Sequence, residues 1–279
     1  MIHSHPIPTL EELMNYYTLH YRQSYKSTYS PKPKHILRAG KSALERLDRL
    51  KPVSKPGLTL LDVGSGGGEF VYLAGRAGFI ASGIEPNEGY ASYSREHYGI
   101  HVRPGTWETA DISRESIDII TLHHVLEHIQ YPLSALIQLH EWLKPGGHLM
   151  IDVPDMESLR HAPSTQFHYA HIYNFNHATL KAVAHKAGFT PHNASVRTTT
   201  ILFHKTHEPQ RDLVMRDEAN YRHLYQRLRS HTRLSHYTSL TPYQRLYGKA
   251  WKYGLEKMHL RGHADSRAIL DQLSPTANH

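Results

Sequence analysis

The stretch LLDVGSGGGEF, residues 60–70, constrains this chain more than any other. An apolar run ends in Asp62 and three alternating glycines, Gly64, Gly66 and Gly68, and a helical pattern follows at once. A strand entering such a turn presents bare backbone above the sheet, because a Cβ would block both the positive-φ turn and the approach of a ligand. The spacing narrows the ligand. A dinucleotide turn asks for G-x-G-x-x-G, and the sixth position here is Glu69, whose carboxylate would repel a pyrophosphate. Asp62, just before the turn, suits an ammonium group. The turn therefore fits a cationic, phosphate-free nucleoside better than NAD.

Around this turn the chain divides into three parts. Residues 1–57 read as an N-terminal helical arm or lid, with one helix from Ile36 to Leu50 and a KPVSKPG linker behind it. Residues 58–206 alternate strand and helix. The expected strands are TLLDVG, FIASGIEP, IHVRPG, SIDIITL, HLMIDVP and two more near 190–197 and 199–205. Between them lie three apolar stripes at helical spacing: Phe70, Leu73, Ala74 and Ala77; Leu133, Leu136, Ile137, His140 and Leu143; Leu180, Val183, Ala184 and Ala187. Gly78, Gly188 and Pro145-Gly146-Gly147 are expected to punctuate the helix ends. Strands separated by helices predict a doubly wound, mostly parallel α/β sheet with ligands at the strands' carboxyl ends. Residues 207–279 read as a basic, helical C-terminal extension, with Tyr221, Leu224, Tyr225 and Leu228 on one stripe.

Composition sets the remaining bounds. The chain has 279 residues and no cysteine, which excludes a disulfide framework, a thiolate nucleophile and a sulfur metal site. No window reaches the ~18 apolar residues of a membrane span, and no signal-peptide pattern opens the chain, so a cytoplasmic location is expected. The 25 histidines are scattered, which predicts pH-sensitive charge rather than a metal tract. Net charge is +7, but it lies wholly in the flanks: ten Lys/Arg against four Asp/Glu in residues 1–57, ten against fourteen in 58–206, twelve against seven in 207–279. Such flanks are solvated helix faces or attract nucleic acid, anionic lipid or a phosphorylated acceptor.

Glu85 closes the second strand, 21 residues after Gly64, where an acid can accept both ribose hydroxyls. Gly105-Thr106-Trp107 follows the third strand, where Trp107 either covers a base or packs into the core. Together with SIDIITLHHVLEHI, WLKPGGHLMIDVPD and TLKAVAHKAGF, these residues resemble the class I S-adenosylmethionine (SAM)-dependent methyltransferases over about residues 58–205. The resemblance implies a seven-stranded sheet whose last strand is antiparallel, with SAM as cofactor and S-adenosylhomocysteine as product. It places the Gly64–Gly68 backbone on the methionine part and Glu85 on the ribose. Further cofactor contacts are expected from Asp62, Ser65, Pro86, Asn87, Thr106, Trp107 and His123. Thr106 stands where many members carry an acid.

His123-His124-Val125-Leu126-Glu127-His128 falls at the end of the fourth strand, beside the place where the methyl should project. If a helical turn starts there, His124, Glu127 and His128 share a face. The string also resembles the E-x-x-E-H of ubiquinone-pathway and small-RNA O-methyltransferases, in which two carboxylates and a histidine hold a divalent ion. Here the first carboxylate is replaced by His124. No metal is expected; were one bound, His124, Glu127 and His128 would be its ligands, and they suit a softer ion than Mg²⁺. A second cluster, FHYAHIYNF at 167–175, contains His168 and His171 as alternative general bases and Tyr173 to orient the acceptor. Tyr17, Tyr21, Tyr25 and Tyr29, with Arg22 among them, form a stripe that packs on the sheet edge or lids the site.

The reading is a SAM-dependent methyltransferase acting on a hydroxyl of a small-molecule, sugar or glycan-linked acceptor, with histidine-assisted deprotonation. An RNA methyltransferase using the basic flanks, or a non-catalytic SAM-binding protein, are the alternatives. The C-terminal helices are a candidate dimer surface.

Overall fold

The computed structural model describes residues 2–3, 6–9, 12, 31–168, 170–193, 198–248, 256 and 265–273. The tyrosine stripe from Tyr17 to Tyr29, with Arg22, lies outside the described residues, as do residues 194–197 of the sixth expected strand.

Helix α1, Pro33–Leu50, starts with proline at its first turn, where the missing N–H costs nothing. Its buried stripe is Ile36, Leu37, Gly40, Ala43 and Leu50. The chain then alternates: β2 Thr59–Val63, α2 Glu69–Arg76, β3 Ile80–Glu85, α3 Glu88–Tyr98, β4 His101–Pro104, β5 Ile117–His123, α4 Pro132–Trp142 and β6 Leu143–Asp152. After a loop come α5 His177–Lys186, β8 Phe189–Pro191 and β9 Thr200–Lys205. Two short strands, β1 Ile2–His3 and β7 Tyr173–Asn174, pair with each other apart from the main sheet. The described part of the C-terminal extension holds α6 Glu218–Ser230, α7 Arg233–Thr238 and α8 Ser266–Leu273.

The main sheet has seven strands in the order β4-β3-β2-β5-β6-β9-β8. All neighbours run parallel except β9, which is antiparallel to both β6 and β8. The class I expectation therefore holds, and β2 and β5 lie side by side with the connection reversing between them. That switch point opens a crevice at the carboxyl ends of the two strands. Helices cover both faces. On one side Leu61, Leu122, Leu136, Trp142, Phe175 and Phe203 form a core; on the other Ile36, Leu60, Phe70, Leu73, Ile119 and Met150 form a second. Leu270 of α8 joins the second core, beside Gly40 of α1.

Two local expectations are corrected. Leu143 does not continue the stripe of α4 but opens β6, and Pro145-Gly146-Gly147 lies inside that strand. The irregular start is paired with Ile117 across a register shift. It is anchored by Lys144 Nζ, which donates to both oxygens of Asp118, whose Oδ2 also accepts from Thr59 N and Oγ1. Nor does a helical turn start at His124. Its φ of +55° ends β5, and a short 3-10 turn, Leu126–His128, follows.

Phe203 is fully buried on β9, the reversed strand. Phe203→Ala is expected to lower the unfolding free energy by ~3–5 kcal/mol in a urea titration. A loss below about 1 kcal/mol would show that β9 is not part of the cooperative core.

Candidate active site

The glycine turn is built as its spacing requires. Gly64, Gly66 and Gly68 have φ of +77°, +55° and +84°, a region that side-chain-bearing residues seldom adopt. A Cβ on Gly64 would overlap Val125, and one on Gly68 would crowd Ser94 and Ile100. Above Gly66 the space is open. Glu85 is buried and holds the turn from the next strand: Gly66 N donates to its Oε2 at 2.8 Å and Asn87 N to its Oε1 at 2.9 Å. Burial raises its pKa, while those two N–H donors oppose the rise. Ser65 is buried against Gly83, its hydroxyl without a hydrogen bond among the described residues, Asn87 caps α3, and Pro86 is exposed.

Beneath the turn lies a buried polar cluster. Asp62 accepts from Thr121 Oγ1 at 2.6 Å, and desolvation pushes its pKa up to about 7. Glu69 begins α2, where a carboxylate is favoured by the helix dipole, yet burial raises it to about 7 as well. Its oxygens lie 2.7–2.8 Å from the place a Gly67 Cβ would take. The positive charge comes from Arg46 of α1, whose pKa is lowered by burial and raised by the charges of Asp62, Asp152, Glu45 and Glu69. Arg46 Nε has no hydrogen-bond partner among the described residues. Sequence reasoning missed this residue, although the signal was present: Arg46 lies three after Ala43 and four before Leu50, on the apolar stripe of α1. His123 completes the cluster, edge-on to Phe70 at 5.1 Å and 4.0 Å from Asp152 Oδ2. Neither ring nitrogen finds a hydrogen-bond partner among the described residues, and burial, with Arg46 beside it, favours the neutral imidazole.

The second group centres on Glu127, which is 1 % exposed. Neither of its oxygens has a hydrogen-bond partner among the described residues. His124 Nδ1 stands 3.4 Å from Oε1 and His128 Nε2 3.8 Å from it, so the three do converge, through the strained backbone at His124 rather than along a helix. His128 Nδ1 lies 2.8 Å from Ala170 O, a group that can only accept, so the proton sits on Nδ1 and the Nε2 lone pair faces the carboxylate. His171 stacks edge-on to His128 at 4.9 Å, and burial together with the neighbouring His128 lowers its pKa to about 4. Ligand atoms of Glu127, His128 and His171 lie within 4.8 Å of one another. His171 thus takes the place in this group that the sequence reading assigned to His124. His124 carries the opposite shift: Glu127 raises its pKa.

His168 lies at the rim, accepting from Ala170 N, with its ring 5.1 Å from His171. Tyr173 donates to Gln130 O at 3.1 Å and borders a groove of about 1700 Å³ between α4, α5 and α6, lined among others by Tyr131, Leu213, Met215 and Tyr225. Thr106 caps its own turn through Thr109, and Trp107 is half-buried against the first core.

The polar set fits a zwitterionic nucleoside. An orphaned guanidinium nitrogen, a buried carboxylate at the strand end, open space above Gly66 and the bidentate Glu85 supply partners of both signs and leave no cradle for a pyrophosphate. A family model described as a methyltransferase domain matches residues 35–194, more than half of the chain. The chain belongs to that family, and its class is that of the SAM-dependent methyltransferases. Curated relatives include ubiquinone biosynthesis O-methyltransferases from Ruegeria pomeroyi, 36 % identical over 96 residues, and from Hahella chejuensis, 35 % identical over 100. These matches cover 33 % and 34 % of this chain and 39 % and 42 % of the relatives, so the likeness spans about two fifths of their length. Among solved structures, a SAM-dependent methyltransferase from Thermotoga maritima aligns at a TM-score of 0.49 and 20 % identity, over 70 % of this chain and 97 % of that one. One from Archaeoglobus fulgidus aligns at 0.47 and 22 %, over 63 % and 75 %.

Because the folded pKa of Asp62 is raised from 3.8 to about 7, its contribution to stability is fully present below pH 3.8 and is lost as pH rises through about 7. Asp62→Asn is therefore expected to raise the Tm of the ligand-free protein at pH 8. In calorimetry the same variant should bind S-adenosylhomocysteine at least about tenfold more weakly, the scale of one charged contact. A lower Tm at pH 8 together with unchanged affinity would refute both roles.

Proposed function

We propose that this chain transfers the methyl group of SAM to a hydroxyl of a small-molecule acceptor that carries an apolar portion. Glu127 carries the reading: a fully buried carboxylate, without a hydrogen-bond partner, flanked by imidazoles at the carboxyl end of β5. Arg46 would take the cofactor's carboxylate, Asp62 its ammonium group and Glu85 its ribose hydroxyls, with the Gly64–Gly68 backbone, Ser65, Asn87 and His123 enclosing the methionine part. Thr106 and Trp107 border the base. The relatives named for ubiquinone biosynthesis O-methylation support oxygen as the accepting atom. The groove bordered by Tyr173 supports an acceptor with apolar bulk, and His168 stands beside His171 as a second imidazole near the reacting group.

In the reaction the acceptor oxygen forms a bond to the methyl carbon as the carbon–sulfur bond breaks. The sulfonium is already activated, so the protein's contribution is alignment and removal of the hydroxyl proton. With its pKa near 4, neutral His171 is a weak base for that proton. The lone pairs of His128 Nε2 and Glu127 point toward one another, an arrangement that invites a cation. The donor set of one carboxylate and two imidazoles fits Zn²⁺, Fe²⁺, Co²⁺ or Mn²⁺ better than Mg²⁺. Glu127, His128 and His171 would hold such an ion, which would supply acidification of the bound hydroxyl. His124, whose pKa Glu127 raises, is the competing source of positive charge when the ligands are metal-free.

His171→Ala is expected to lower turnover at least about tenfold while leaving S-adenosylhomocysteine affinity unchanged, the signature of a group that acts on the acceptor rather than on the cofactor. Unchanged turnover would sink the assignment. Dialysis against a chelator should abolish methyl transfer to phenolic and alcoholic acceptors, and a softer divalent ion should restore it. Full activity after chelation would leave the histidines acting alone as proton acceptors.

A further inference from the structure

Residues 219–255 contain seven Lys/Arg and no Asp/Glu, together with six tyrosines and a tryptophan. Leu224 apart, the described part of this segment leaves most of its large apolar side chains outside the core. Leu234, Leu240 and Leu246 are 76 %, 72 % and 69 % exposed, and Tyr237, Tyr243 and Tyr247 are exposed beside them. Leu234 and Tyr237 lie on α7, Leu240 on the bend after it, and Tyr243, Leu246 and Tyr247 on the helical residues 241–248, with Arg229, Arg233 and Arg245 also exposed. Isolated exposed leucines are ordinary, but six large apolar side chains within fourteen residues form a surface that water disfavours.

The charge of the segment selects its occupant. A second copy of the same face would set Arg229, Arg233 and Arg245 against their own counterparts, and like charges oppose self-association. An anionic surface answers the arginines. Leucine, which has no ring to stack on a base, answers a hydrocarbon interior rather than a nucleic acid. Tyrosine and arginine side chains are at home at the headgroup level, with rings and stems in the apolar layer and polar ends in water. We propose that this face docks on an anionic phospholipid bilayer, lying in the interface without crossing it. Among the described residues no helix is long and apolar enough to span one.

The test is cosedimentation of the full chain with vesicles. Vesicles containing about a quarter phosphatidylglycerol should bind it at least about tenfold more tightly than pure phosphatidylcholine, because the basic segment responds to surface potential. Raising salt to about 1 M should remove most of that preference by shortening the screening length. The triple variant Leu234→Gln, Leu240→Gln, Leu246→Gln should lose vesicle binding at unchanged S-adenosylhomocysteine affinity, which also shows that it is folded. Failure of the wild type to bind the anionic vesicles, or full binding by the triple variant, would overturn the proposal. So would tighter binding of a generic oligonucleotide than of the vesicles, or a concentration-dependent dimer that the triple variant abolishes.

Discussion

Four carboxylates, Asp62, Glu69, Glu85 and Glu127, are buried around the carboxyl ends of β2, β3 and β5, and the organisation of the site follows from the cost of desolvating them. Each has a different remedy. Glu85 accepts two backbone N–H groups and thereby locks the glycine turn. Asp62 and Glu69 rely on Arg46, a hydroxyl and a helix start, and stay half-protonated near neutrality. Glu127 has histidines of two kinds around it, one drawn toward the charged form and two held neutral. On the proposed reading, a ligand's ammonium group and carboxylate would complete the first set, and a cation or a reacting proton the second. The sheet provides the positions; unmet polar valence provides the affinity.

The parts of this arrangement that were legible in the sequence share a property: they are backbone requirements or regular periods. Gly64, Gly66 and Gly68 announce positive φ, Glu85 announces itself by distance from the turn, and the strand–helix alternation predicts a parallel sheet. What stayed illegible depends on contacts between distant segments. Arg46 reads as a surface arginine unless its place between Ala43 and Leu50 is noticed. The tautomer of His128 is decided by Ala170 O, 42 residues away. His171 joins Glu127 only because the loop after β6 folds back over β5. Of the two local corrections, the helical turn at His124 failed because a non-glycine residue at φ +55° carries no sequence mark.

The high histidine content has a graded meaning. Where imidazoles are buried near other imidazoles, as at His128 and His171, desolvation and mutual repulsion keep them neutral and available as lone-pair donors. Where one faces a carboxylate, as His124 does, the carboxylate favours its charged form. The same residue type thus provides both signs of behaviour within a few ångströms, without any lysine or cysteine at the reacting end of the pocket.

Helix α8 has a bearing on how the chain is made. Its Leu270 and Leu273 fill the space over Gly40 of α1, and Tyr72 of α2 donates to Asp271. The surface of α1 around Gly40 therefore waits for a helix translated more than two hundred residues later before it is covered. A nascent chain stalled between β9 and α8 would hold the strands of the sheet with that flank unsealed, which makes products truncated there natural clients for chaperones and proteases.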